Sequence, residues 1–356
     1  MTLMYAQMLL LLFAAALAGC NGDSTPLTSQ PAATPATAVT EATPAPTQPA
    51  AALPTATAQP SATTTGELPI IDMHFHPDAG WDRSGLIALM DELGVQQAVG
   101  GSGDEGVEAL RFAAEHPGRF VPFAGQDGIR ALNLLEGAPS WDLESAATLT
   151  YLDDLEAQLE AGCWAGIGEA FVNTLGSHVS GGFSVSADSA LMRRLFELSA
   201  QYEAPLSVHM DAAPASVAEL RRLLDSNPDG KFIWAHAGWY ATPAQLRELL
   251  LAHANLHIEL SFRDELRSFF PVTVGGVLQG DWHALLEDMP ERFVLGTDLL
   301  PPPTPEKYSG LILFWRGVLE QLTPDTAAML AYANAQRLLG DRTPGNAEEC
   351  VGMLGG

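Results

Sequence analysis

The sequence predicts an α/β protein, a closed (β/α)8 TIM barrel, and three observations carry that expectation. From Leu68 onward, short apolar runs alternate with helical patterns, and eight such pairs fit before Arg342. The apolar runs do not alternate with polar residues, as expected for parallel strands buried on both faces. Polar residues suited to chemistry recur at the ends of these runs, where a barrel of this kind places its active site. A doubly wound open sheet is the competing architecture.

The strand runs are Leu68–Met73, Gln97–Gly100, Phe120–Gly125, Ala165–Phe171, Leu206–Met210, Phe232–Ala237, Leu256–Ser261 and Phe293–Thr297. The helical patterns between them cover Asp82–Leu93, Glu105–Glu115, a stretch near Tyr151–Ala161, Ala187–Gln201, Ala215–Ser226, Pro243–Ala252, a stretch near Trp282–Asp288, and Tyr308–Gln321. A longer insertion follows the third strand. The barrel domain is expected over 68–342, with a flexible tail over 343–356.

The segment before the barrel has a different character. Met8–Ala18 is an apolar run too short to remain as a membrane span. It ends in Leu17-Ala18-Gly19-Cys20, which resembles the lipobox of bacterial lipoproteins. Residues 1–20 are therefore expected to be a lipoprotein signal, with lipid on Cys20. The stretch carries no Lys or Arg in residues 1–7, unlike most export signals. An uncleaved membrane anchor is the other reading, and either one exports the chain. Residues 21–67 are almost entirely Pro, Ala, Thr, Ser and Gln, a composition that cannot offset the entropy of ordering. They are expected to form a disordered tether that holds the domain off a membrane.

The 356 residues carry a formal net charge of −26, which repels phosphate backbones and argues against a nucleic-acid partner. A small-molecule substrate is expected, and the oligomeric state is open. Cys163 and Cys350 could pair outside the cytoplasm, although two unpaired thiols are the default expectation.

The strand ends supply Asp72, His74 and His76 on the first strand, Glu169 on the fourth and His209 on the fifth. His236 lies on the sixth and Asp298 just past the eighth. On a strand, residues two apart share a face, so His74 and His76 can hold one ion between them. Zinc suits imidazole and carboxylate ligands. Asp72 is placed to orient these ligands from behind. Taken singly, His209 and His236 could be ordinary core histidines and Asp298 a helix cap. Their recurrence at successive strand ends is what favours a shared site. Trp239 and Tyr240 after the sixth strand, and Arg263 after the seventh, are the expected substrate contacts. Lys307 and Tyr308 lie in the loop after the eighth. His116, His178, His253, His257 and His283 are expected to be structural.

The pattern His-x-His, Glu, His, His and Asp on strands 1, 4, 5, 6 and 8 resembles the amidohydrolase superfamily, and its second, metal-dependent subgroup in particular. Ala235-His236-Ala237-Gly238, Asn255-Leu256 and Asn334-Ala335-Gln336-Arg337-Leu338-Leu339 also resemble that subgroup. The resemblance implies one or two divalent ions, zinc being the expected metal, held among His74, His76, Glu169, His209, His236 and Asp298. It implies catalytic roles for Asp298, as proton acceptor, and for His236, as a ligand or as a polariser of the substrate. The implied reaction is hydrolysis of an ester, lactone, amide or phosphoester. A decarboxylase of the same superfamily is the alternative. A metal-dependent nuclease, an exported binding protein and a structural surface lipoprotein are the further rivals.

Overall fold

The computed structural model describes residues 68–77, 80–101, 106–124, 127–174, 184–299, 303–340 and 345–354. The expected signal segment, Cys20, the tether and His178 lie outside the described residues. The chain divides into two compact units, and the second, Thr63–Gly356, holds everything described below.

The first half alternates as expected. Strand β1 (Ile70–Asp72) leads to helix α1 (Arg83–Glu92), then β2 (Val95–Gly100), α2 (Gly106–Glu115) and β3 (Phe120–Ala124). The insertion after β3 is helical: α3 (Asp127–Glu136) and α4 (Ala138–Trp141) precede α5 (Ala146–Glu160). Then come β4 (Gly166–Phe171), α6 (Ala190–Gln201), β5 (Leu206–His209), α7 (Pro214–Ser226), β6 (Phe232–Trp234) and α8 (Pro243–Ala252). Serine or threonine caps start several of the helices. The Ser145 hydroxyl accepts from Thr148 N–H at α5, and Thr242 forms a reciprocal cap with Gln245 at α8.

After β7 (Leu256–Glu259), a small hairpin interrupts the alternation, built from β8 (Thr273–Val274) and β9 (Val277–Leu278). Helix α9 (Gly280–Asp288), β10 (Phe293–Val294) and α10 (Pro305–Leu319) complete the last unit. Then follow α11 (Pro324–Ala328), a π-turn over Met329–Ala333, α12 (Asn334–Leu339) and α13 (Ala347–Leu354).

The sheet runs in the order β1-β2-β3-β4-β5-β6-β7-β10, and every pairing in it is parallel. Beyond the ends of β1 and β10 the chain closes the ring. Met73 N–H donates to Leu295 O, and Asp298 N–H donates to His74 O. Successive residues of each strand face opposite sides. Ile71, Val99, Phe123, Ile233 and Val294 pack together with Leu338 and Leu339 of α12. These residues fill the interior and leave its opposite end to polar side chains. Their strand neighbours Ile70, Ala98, Phe232 and Phe293 join the larger core beneath the helices.

Two expectations about the C-terminus are corrected. Cys163 and Cys350 form a disulfide, with Cα atoms 5.4 Å apart. The tail is also not loose throughout: Ala347–Leu354 is helical, and Gly345 N–H donates to Gly162 O beside the disulfide. Nothing local to either thiol shows that two positions 187 apart in the chain fold back to meet.

Candidate metal centre

The strand-end residues converge. His74 Nε2 lies 3.4 Å from Glu169 Oε2 and 3.6 Å from Asp298 Oδ1. His76 Nε2 reaches the same Asp298 Oδ1 at 2.5 Å. Glu169 Oε1 lies 3.1 Å from His209 Nδ1 and 3.0 Å from His236 Nε2, and these two nitrogens are 3.0 Å apart. Two groups thus have the spacing of metal ligands, His74 with His236 and Asp298, and Glu169 with His209 and His236. They share His236. Apart from His76, which is partly covered, all of these residues are buried.

The hydrogen count of the cluster indicates what it suits. Glu259, at the end of β7, is fully buried and accepts from His74 Nδ1 at 3.1 Å and from Ser261 Oγ at 2.7 Å. Because Ser261 gives its hydrogen to Glu259, His236 Nδ1, 2.8 Å away, must donate to Ser261 Oγ. The Nε2 of a neutral His236 is then a bare lone pair facing a Glu169 oxygen. A neutral His74 likewise turns a bare Nε2 towards Glu169 and Asp298. Acceptors outnumber hydrogens at the centre, and buried acceptors need a positive partner. The donor set, imidazoles and carboxylates, is one that zinc and similar divalent ions accept.

The charges agree with this. Burial disfavours a proton on His74, yet the Asp298 and Glu169 carboxylates hold its pKa well above the usual histidine value. Burial would raise Glu169, but His74 and His209 hold it well below the carboxylate range. Asp298 is lowered too, by His74 and His76, against the effect of burial. The two carboxylates therefore stay ionised and select a cation, whether a proton or a metal ion.

Asp72 stands behind the site, as expected. It accepts from Thr297 N–H at 2.8 Å, Thr297 Oγ1 at 2.7 Å and His74 N–H at 3.2 Å. Burial lifts its pKa to about 6, against these hydrogen bonds.

Arg263 is a correction. It does not face a substrate anion: its side chain is buried, and its guanidinium donates to the carbonyls of His236, Ala237, Ala241 and Phe270. His236 and Ala237 sit at φ 58° and 49°, in the left-handed region that side chains disfavour. Arg263 fastens that turn through both carbonyls. Arg267 does the same for Asp298, at φ 41°, by donating to the carbonyls of Thr297 and Asp298. Backbone strain of this kind persists only where the surroundings over-determine it.

Trp239 and Tyr240 diverge. The Trp239 ring lies 6.2 Å from His236 and 5.2 Å from Phe262, so it borders the site. Tyr240 instead meets Phe270, 6.2 Å away and one step further out. The Tyr308 ring is buried against Phe75 and Trp81 rather than placed in a loop, while Lys307 lies in the first turn of α10. A narrow cleft opens beside the cluster, bordered by His74, His76, Glu169, Ser207 and Phe123.

The sequence reading missed Glu259 and Ser261. The available signal was a carboxylate inside the apolar run Leu256–Ser261, which has no reason to be there unless it is partnered. Gly296 explains how close the approach is. A Cβ there would meet Glu259 Oε1 at 2.3 Å and His74 Cβ at 2.6 Å.

A closed parallel β/α barrel with buried imidazoles and carboxylates at its strand ends defines a class of metal-type barrel proteins. Within that class, the amidohydrolase family model matches residues 71–340, and the chain belongs to that family. No curated protein matches the sequence. Among solved structures, an uncharacterized TIM-barrel protein from Bordetella bronchiseptica is 16% identical, with 76% of this chain and 98% of that one covered at a TM-score of 0.51. A 2,6-dihydroxybenzoate decarboxylase from Rhizobium is 14% identical, covering 77% and 99% at 0.49. A probable 2-pyrone-4,6-dicarboxylic acid hydrolase from Acinetobacter baumannii, with citric acid bound, is 13% identical, covering 77% and 100% at 0.48. The first of these shows the shared barrel.

Proposed function

We propose that this chain is a metal-dependent hydrolase of a small ester, lactone, amide or phosphoester. The observation that carries the reading is the cluster of His74, Glu169, His209, His236 and Asp298, in which acceptor atoms outnumber hydrogens. His74, His76 and Asp298 would hold one ion, and Glu169, His209 and His236 a second or a shared one, zinc being the expected metal. When bound, a divalent ion lowers the pKa of water towards neutrality and polarises the bond under attack. Asp298 accepts the proton lost by the attacking water and returns it to the leaving oxygen or nitrogen, so that one water is consumed for each bond cleaved. His236 acts as a ligand rather than as a polariser of substrate, because Ser261 occupies its Nδ1 and the cluster its Nε2. Trp239 and Phe262 form the apolar side of the site.

The test is elemental analysis of protein purified with added metal, followed by a turnover screen on chromogenic esters, lactones and phosphotriesters and on carboxylated aromatic rings. Bound metal with hydrolytic turnover that is lost in His74→Ala supports the reading. Release of carbon dioxide without hydrolysis would replace it with decarboxylation, and protein that takes up no metal ends it.

Export with lipid on Cys20 belongs to the same proposal. It is supported by Leu17-Ala18-Gly19-Cys20 and by the Cys163–Cys350 disulfide, a bond that persists in oxidising compartments. Labelled fatty acid incorporated into the full chain, and not into Cys20→Ala, is the expected result.

A further inference from the structure

We infer that Glu259 is a positioning residue that sets the tautomers of two facing histidines at once, directly at His74 and through the Ser261 hydroxyl at His236. The inference rests on the metal-centre reading and goes one shell beyond it.

Four hydrogens converge on this one carboxylate. Oε2 accepts from His74 Nδ1 at 3.1 Å, Ser261 Oγ at 2.7 Å and the backbone N–H of His236 at 3.2 Å. Oε1 accepts from the Ser261 backbone N–H. A carboxylate has four lone-pair directions and no hydrogen of its own when ionised, so it matches this set.

The consequence is directional. A hydrogen held on Nδ1 of each ring leaves Nε2 as the atom turned inward, and in both residues it is Nε2 that faces Glu169 and Asp298. The His74 and His236 rings stack with centroids 5.1 Å apart and planes inclined by 27°, and Glu259 Oε2 meets His74 at Nδ1 and His236 at its backbone N–H. Glutamine cannot replace this carboxylate. With its oxygen at the Oε2 position, its NH2 group confronts the Ser261 N–H. Flipped, it confronts His74 Nδ1–H and the His236 N–H.

The experiment uses metal-free full-length protein with 15N-labelled histidine rings. Long-range 1H–15N spectra separate Nδ1–H from Nε2–H. In the wild type, a hydrogen on Nδ1 is expected at both His74 and His236. Glu259→Gln should lose that signature at both rings, and Ser261→Ala at His236 only. The serine variant removes one small hydroxyl, so it keeps the test open even if the glutamine variant folds poorly. Titration with Zn2+ alone gives a second readout, with about 10- to 100-fold weaker binding expected for Glu259→Gln, the usual cost of losing a partner behind a ligand. A bare Nδ1 on either ring of the wild type overturns the inference, as does an unchanged His236 signature in Ser261→Ala. Wild type that shows both Nδ1 hydrogens yet takes up no metal supports the relay while ending the hydrolase reading. Wild type that binds metal with Nδ1 bare ends the relay alone.

Discussion

Glu169 and His236, 67 residues apart in the chain, bring a carboxylate oxygen and an imidazole nitrogen to 3.0 Å from each other at the barrel mouth. Ser261 holds the hydrogen of His236 on the other side of the ring, so two acceptors face each other here. Glu169→Gln would place an amide N–H against that nitrogen and satisfy it without a cation. We expect this variant to bind metal much more weakly, beyond the roughly 10- to 100-fold typical of outer partners. Its metal-free form should melt no lower than the wild type at neutral pH. Elemental analysis and thermal melting check the two halves separately.

Asp298 has a different role, because one of its oxygens pairs with His76 while the other lies 3.6 Å from His236 Nε2. Asp298→Asn keeps the shape but cannot accept a proton. General-base action contributes about 10²- to 10⁴-fold, so kcat on whichever substrate the screen finds should fall by that order. Steady-state kinetics with metal content measured in the same sample decides it; unchanged kcat removes Asp298 from the proton path.

How much of this was legible beforehand depends on the range of the interaction. His74, His76, Glu169, His209, His236 and Asp298 each end or follow an apolar run, and the barrel brings strand ends together, so their meeting could be read from order alone. Arg263 could not be. Sequence shows a cation after a strand, but not that the turn at 236–241 and the loop at Phe270 leave four carbonyls for it to bind. The hairpin β8–β9 and the two short helices after β3 were missed because they sit in insertions with no place in the repeating pattern. The Cys163–Cys350 bond depends on where a tail docks, which no local signal encodes.

Arg263→Lys keeps a charge but cannot reach four carbonyls, so the turn carrying His236 should loosen. Hydrogen bonds to a charged group are worth roughly 1.5–3 kcal/mol each, so losing two or more should cost about 3 kcal/mol or more. Melting curves should show the loss, and Zn2+ affinity should fall with it because His236 is no longer held. Full affinity in a destabilised protein would separate the turn from the site.

The disulfide gives a prediction independent of the site. Cys163 and Cys350 span 187 positions, and a cross-link closing a long loop contributes about 2–4 kcal/mol. At about 2–4 °C per kcal/mol for a domain of this size, Cys350→Ser should melt roughly 5–15 °C lower. Thiol titration of the unfolded, unreduced wild type should find neither Cys163 nor Cys350 free; two reactive thiols there would refute the bond.

His257 provides the acid limb of stability. It lies early in β7, away from the metal centre, and its Nδ1 has no hydrogen-bond partner among the described residues. Burial, reinforced by the charges of Arg292 and Arg337, depresses its pKa from 6.5 to about 3. Between those values the unfolded chain binds a proton at this position and the folded one does not, so stability rises with pH across the window. The contribution is complete above about 6.5 and is lost as pH falls towards 3. His257→Gln has no such proton to take up. Relative to the wild type, the variant should therefore gain stability as pH drops from 7 to 4, whatever its offset at neutral pH. Paired denaturant melts at both pH values measure this difference directly. A difference that stays constant with pH would mean that His257 titrates in the folded protein as it does in the unfolded chain.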